Sequence, residues 1–298
     1  MKLKKIDAIR SVVFCLSIVL GACSCFYRNN YNYKMVEEMS AKIEKEPLNY
    51  ELYSMRASYY QSLANDINNK EMRAKSIADF LKVLELNKDN KDNYNANVYN
   101  DLAILFYMDV KEYEKAYFYS NEAIKMGHND YSIRYIRGSS LCYLNRYKEA
   151  FDDYEYLIKN NRKEYIEYPR FWLEIGNVYY HNKRYSQAGE YLEYLIKLNP
   201  DQSYDVYANL AFIGMYLEDY DKAEKYAFIS LKKDDNQGYL YVLMSIMYLI
   251  KDDKAKSENF IRKGVKKGLD VNLIWENEDL VKYFGKDKIQ KMIDEEKK

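Results

Sequence analysis

Side chains able to do chemistry are few in this chain. Of two histidines, His128 follows Gly127 in a turn between helical stretches and His181 closes another stretch. Neither has cysteine or carboxylate neighbours at a metal-ligand spacing. No phosphate-binding glycine loop, G-x-S-x-G or H-E-x-x-H occurs in the sequence. Adjacent acids stand at Asp152-Asp153, Asp234-Asp235 and Asp252-Asp253. Neighbouring carboxylates on a helix or turn point in different directions, so they read as solvated faces and not as an acid/base pair. The inventory predicts a protein that is not an enzyme and holds no metal or cofactor.

The cysteines point elsewhere. Residues 1–10 are basic, and Ser11–Leu20 is an apolar run of ten residues. A bilayer span needs about 20 residues, whereas a signal-peptide core needs fewer. The segment Leu20-Gly21-Ala22-Cys23 that follows resembles the lipobox of bacterial lipoproteins. That resemblance implies a signal peptide over 1–22, acylation such as palmitate on Cys23, a polar tether over 23–32 and a place in the cell envelope. More than one acyl chain would give stable attachment to the membrane. A second thiol at Cys25 leaves the processing site less sharply defined, and an uncleaved anchor over Val12–Phe26 is the alternative. Cys15 lies within the apolar run, and Cys142 is the one thiol of the folded part, so no internal disulfide is expected and Cys142 reads as packing or groove lining.

With 46 basic and 46 acidic residues the chain lacks the electrostatic footprint of a nucleic-acid binder. Three prolines and ten glycines in 298 residues favour long helical runs over a turn-dense β fold. One stretch shows the plan. Pro169–Pro200 reads as two amphipathic helices, with Trp172, Ile175 and Tyr179 on the first and Tyr185, Leu192 and Leu195 on the second. Where the two would cross, the residues are small, Gly176 and Ala188. A single pair of this length buries too little surface to offset its ordering entropy and needs neighbours of its own kind.

The sequence supplies them. Gly176 has counterparts at Ala57, Ala103, Gly138, Ala211 and Ser245, and Ala188 at Ser76, Ala116, Ala150, Ala223 and Ser257. In the last four units the two small positions lie twelve residues apart (138 to 150, 176 to 188, 211 to 223, 245 to 257). The second unit has one residue more and the first seven more, expected in the turn between helices, the latter in the polar loop Asn65–Glu71. A helix over Tyr33–Glu46 is predicted to cover the N-terminal end. Short helices over 270–298, carrying Ile274, Phe284, Ile289, Met292 and Ile293, are predicted to cap the other.

Trp172, Ile175, Gly176, Tyr179, Tyr185, Ala188, Leu192 and Pro200 fall in register on the tetratricopeptide repeat, which the chain resembles over about residues 50 to 265. The resemblance implies an all-α, right-handed solenoid of about six helix pairs spanning 33–269, with a concave groove lined by the first helices. Carried over by register, the groove would include Asn100, Tyr107, Tyr135, Tyr143, Arg170, Asn177, Tyr180, Asn209 and Tyr216, with Glu174 and His181 beside them. Some repeats of this kind clamp a C-terminal carboxylate with cations and two asparagines. Here Asn177 and Asn209 are in place, but Leu173, Tyr239 and Leu243 occupy the cation positions, so a carboxylate could not be desolvated there. Val242, Leu243, Ile246 and Leu249 are expected to pack against the cap. The function implied is a scaffold at the cell envelope that binds a protein or peptide segment. The alternative is an envelope-assembly lipoprotein that contacts cell-wall polysaccharide through exposed tyrosines.

Overall fold

Short amphipathic stretches with little proline satisfy their backbone groups most simply as helices. The computed structural model describes residues 27–67, 69–90, 93–160 and 168–297, and among them every regular element is helical. The predicted signal peptide over 1–22 and the acylation site Cys23 lie outside the described residues. No described helix is long and apolar enough to cross a membrane.

The chain divides into two compact units, one ending at Asn145 and one beginning at Arg146, and this boundary falls within the third repeat. The first unit holds α1 (27–45), α2 (Tyr50–Ile67), α3 (Lys70–Leu86), α4 (Asn95–Ile104), α5 (Tyr113–Lys125) and α6 (Tyr131–Tyr143). The second holds α7 (Phe151–Lys159), α8 (Pro169–His181), α9 (Tyr185–Leu198), α10 (Tyr204–Tyr216), α11 (Tyr220–Lys233), α12 (Gly238–Ile250) and α13 (Lys254–Lys266). It closes with α14 (Asn272–Trp275), α15 (Glu278–Phe284) and α16 (Lys286–Glu296). Pro169 stands in the first turn of α8, where no backbone donor is lost. Asn69, Asp130, Asp219, Asp253 and Asn277 each accept a backbone N–H at a helix start.

All twelve small residues picked out by the repeat are buried. Serine takes the place of glycine or alanine only where its hydroxyl is satisfied. Ser76 Oγ donates to the carbonyl of Ala57 at 2.8 Å, and Ser245 and Ser257 share a hydrogen bond of 2.8 Å. The turns between paired helices are equally regular. Lys111, Asn145, Lys183, Glu218 and Asp252 all have φ between 55° and 59°, each five residues before the second small position.

That regularity moves the extra residues. The single insertion of the second repeat does not lengthen its turn. It sits at the end of α4, which continues as a π-helical turn over Leu105–Val110. The left-handed turn and the packed crossings fix both ends, and a π turn absorbs one residue while keeping the backbone bonded. The seven extra residues of the first repeat likewise form little loop. The helix α2 runs on to Ile67, and α3 begins at Lys70 behind its Asn69 cap.

Both ends are covered as the pattern predicts. Met39 and Ile43 of α1 are buried, but the helix starts at residue 27, so the tether expected over 23–32 is helical from that point. Tyr31 meets Tyr59 of α2 edge-on at 6.3 Å, which ties this added length down, and further along α1 Ser40 Oγ accepts from Arg56 of α2 at 3.0 Å. At the C-terminus Ile274, Leu280, Ile289 and Met292 form one core with Val242, Ile261 and Val265. Ile246 and Leu249 pack against it, which accounts for the apolar face of α12. Arg262 reaches Glu258, Glu295 and Glu296 across the outside of this cap.

Candidate functional site

In the first unit three of the predicted groove residues come together around one ring. Tyr107, in the π turn, lies edge-on to Tyr135 and Tyr143 of α6, with centroids 6.2 Å away in each case. Its hydroxyl shares a hydrogen bond of 2.7 Å with Ser139. A residue outside the predicted set completes the cluster. Tyr113, first in α5, lies flat on Tyr143 with centroids 3.9 Å apart and planes 3° from parallel. Tyr143 remains 42% exposed.

The second unit repeats the arrangement. Tyr185, first in α9, stacks on Tyr216 of α10 at 4.2 Å and 4°, with Tyr180 of α8 edge-on to Tyr185 at 5.8 Å and tilted on Tyr216 at 6.3 Å. Tyr216 is 55% exposed. Tyr147 and His181 form a third pair, 4.3 Å and 2° from parallel. A tyrosine three residues before the second small position recurs at 113, 147, 185 and 220, so the partners were visible in the sequence as a periodic feature. They were missed because the family pattern assigns that place to packing.

The polar members of the predicted set are largely occupied within the fold. Asn209 Nδ2 donates to Asn177 Oδ1 at 3.0 Å, so the two amides bond each other across successive repeats. Arg170 Nε donates to Glu174 Oε1. Glu174, expected to face the groove, is 1% exposed, and its other oxygen accepts from Tyr154 Oη at 2.5 Å. A carboxylate on an otherwise apolar helix face is tolerated there because both oxygens are hydrogen-bonded. Asn100 is half-buried, and its Oδ1 accepts no hydrogen bond among the described residues. Beside it, burial pushes the Asp101 carboxyl up to about 6, against the opposing pull of His128 and the Asn100 amide. Cys142 is buried, which makes it a packing residue.

Burial and the neighbouring hydroxyls of Tyr216 and Tyr185 hold Tyr180 well above the usual phenol range, so it stays a hydrogen-bond donor. Burial and then Lys148 lower His181, which keeps the ring neutral near pH 7 as it stacks on Tyr147. Among the described residues no group of three or more His, Cys, Asp or Glu side chains could hold a metal ion.

The tetratricopeptide-repeat family model matches residues 169–202. The chain is similar to a solved structure of YrrB, a TPR protein with an unusual peptide-binding site, at 20% identity and a TM-score of 0.50 over 65% of this chain and 94% of that one. The fold is all-α and TPR-like. Two further solved structures are similar at lower scores. MamA MSR-1 matches at 16% identity and a TM-score of 0.49 over 58% of this chain and 96% of its own. Pseudomonas aeruginosa PilF matches at 19% identity and 0.45 over 80% and 97%. No curated protein matches this sequence. In the TPR-like pairs the flat rings therefore occupy a joint, each linking the start of one second helix to the end of the next first helix.

Proposed function

We propose that this chain is a non-catalytic scaffold in which the first helices of each unit form a face that binds a protein or peptide segment. The observation that carries the reading is the pair of tyrosine clusters, Tyr107–Tyr113–Tyr135–Tyr143 and Tyr180–Tyr185–Tyr216. Each presents an exposed ring already immobilised by stacking, so little side-chain entropy is lost when a partner covers it. Tyrosine adds a hydroxyl to a large apolar face, the combination enriched in binding hot spots. The peptide-binding site described for YrrB fits this reading. Attachment to a bacterial membrane through a lipid on Cys23 belongs to the same proposal and rests on the lipobox resemblance.

The test replaces Tyr135, Tyr143, Tyr180 and Tyr216 together with alanine and compares captured partners from the native envelope. Loss of specific partners with helical content retained supports the proposal. An unchanged set refutes the aromatic face, and binding to purified peptidoglycan without any protein partner would favour the cell-wall alternative. Mass spectrometry of the mature N-terminus decides the Cys23 proposal separately.

A further inference from the structure

Two repeats depart from the common spacing, and both departures lead to one place. The lengthened start of α3 supplies Lys70, and the π turn supplies Phe106, Asp109 and Val110. Between α3, the π turn and α5 lies an open groove of about 690 Å³. π-helical turns and repeat-specific insertions both concentrate at functional sites. The groove uses the outward face of a second helix, and its lining includes neither Tyr107 nor Tyr113, Tyr135 or Tyr143, so it does not depend on the function proposed above.

Its floor is unusual for such a face. Ala74, Ile77, Ala78 and Leu81 of α3 line it at i, i+3, i+4 and i+7, and Leu81 is 41% exposed. Phe106 closes the bottom, stacked on Tyr119 of α5 at 5.3 Å and 8°. The rim is charged and mostly paired. Arg73 lies 3.4 Å from Asp109, and Lys115 lies 2.5 Å from Glu112. Lys70 lies at one end, so the lining holds three cations, Lys70, Arg73 and Lys115, against two acids, Asp109 and Glu112. One positive charge is therefore in excess at the mouth of an apolar trough.

We propose that this groove receives one amphipathic helix of a protein partner, lying along α3 with an acidic residue at the end that meets Lys70. The alanines at 74 and 78 allow a third helix axis to approach to about 8–10 Å. From Lys70 to Leu81 the trough runs about 16 Å, close to three helical turns. A docked helix presents apolar anchors at the same i, i+3, i+4, i+7 spacing. An acyl chain would leave much of its length in water in so open a groove, and it does not use the alanine spacing.

A displayed library of amphipathic helices about fourteen residues long, randomised at its charged positions and selected on the full chain, tests this. Ala78→Arg fills the trough from an exposed position, and Leu81→Lys is a second block should that variant fold poorly. Selected helices are expected to carry Asp or Glu near one end and to bind either blocked variant at least about tenfold more weakly in fluorescence anisotropy. Lys70→Glu should weaken them, and exchanging the peptide's acid for lysine should restore binding to that variant. Selection of helices that bind both blocked variants as well as the wild type, or that need no acid, overturns the proposal. So does displacement of the peptide by laurate at equal concentration, which would assign the groove to a lipid chain.

Discussion

Tyr185 and Tyr216 lie face to face, centroids 4.2 Å apart and planes within 4° of parallel, although 31 residues separate them in the chain (216 − 185). The same relationship links Tyr113 to Tyr143 and Tyr147 to His181. Within each unit these rings fix successive helix pairs to each other and leave Tyr143 and Tyr216 partly exposed. A double-mutant cycle of Tyr185→Leu and Tyr216→Leu, read by urea denaturation, should give a coupling of about 0.5–1.5 kcal/mol, since leucine keeps apolar area and loses the ring geometry. Additive effects would mean the stack is incidental to stability.

Glu174 should behave as a structural residue. Glu174→Ala removes the acceptor 2.5 Å from Tyr154 Oη and the partner of Arg170 Nε, and leaves a cavity in the process. The expected loss is about 2–4 kcal/mol, with Tyr154→Phe costing less, about 1–2 kcal/mol. A loss for Glu174→Ala within about 0.5 kcal/mol, the usual range for surface changes, would show that the carboxylate is not held as the geometry indicates.

Asp101 should give the first unit a pH-dependent stability. Its carboxyl is raised by burial to about 6, while an unfolded Asp titrates near 3.9. The folded state therefore holds the proton more tightly. Its stabilising contribution is complete below about pH 4 and is lost as pH rises to about 6. Asp101→Asn removes the buried charge and should exceed the wild type by about 1–2 kcal/mol at pH 7, the gap closing toward pH 4. Parallel urea titrations across this range check the sign, and a gap that grows on acidification would contradict it.

Two glycines separate close approach from mere smallness. A Cβ on Gly214 would stand 2.7 Å from the amide nitrogen of Ala223 and 2.9 Å from its Cα, both backbone atoms that cannot rotate away. On Gly176 it would meet Leu192 Cδ2 at 2.3 Å and Cγ at 2.5 Å, atoms of a buried side chain that can move away only by a change of χ1. Gly214→Ala should therefore cost about 2–3 kcal/mol and Gly176→Ala about 1–2 kcal/mol, the reverse of the order of the bare distances. Thermal melts of the two variants decide it.

Gly214 also marks a limit of pattern reading. It occupies the place held by Tyr179 one repeat earlier, and nothing in the spacing announces that the backbones meet there. The small residues at the twelve crossing positions were legible because close helix packing recurs at fixed intervals. The packing of Val242, Ile246 and Leu249 against the cap was legible too, since an apolar surplus on a terminal helix needs a cover. Glu174 misled for the opposite reason. Its register places it on the groove side, and its burial depends on Tyr154, twenty residues earlier (174 − 154).

The sequence by itself determined that the chain is helical, built from about six pairs, and closed at both ends, because small residues, apolar spacing and breakers act locally and repeat. Tertiary structure alone decided where the irregular residues went. The extra residue of the second repeat entered a helix as a π turn, since turn geometry and crossings were already fixed on either side of it. It decided as well which rings meet, because stacking depends on the rotation between neighbouring helix pairs. No window of local sequence specifies that rotation, and both surfaces proposed for binding follow from it.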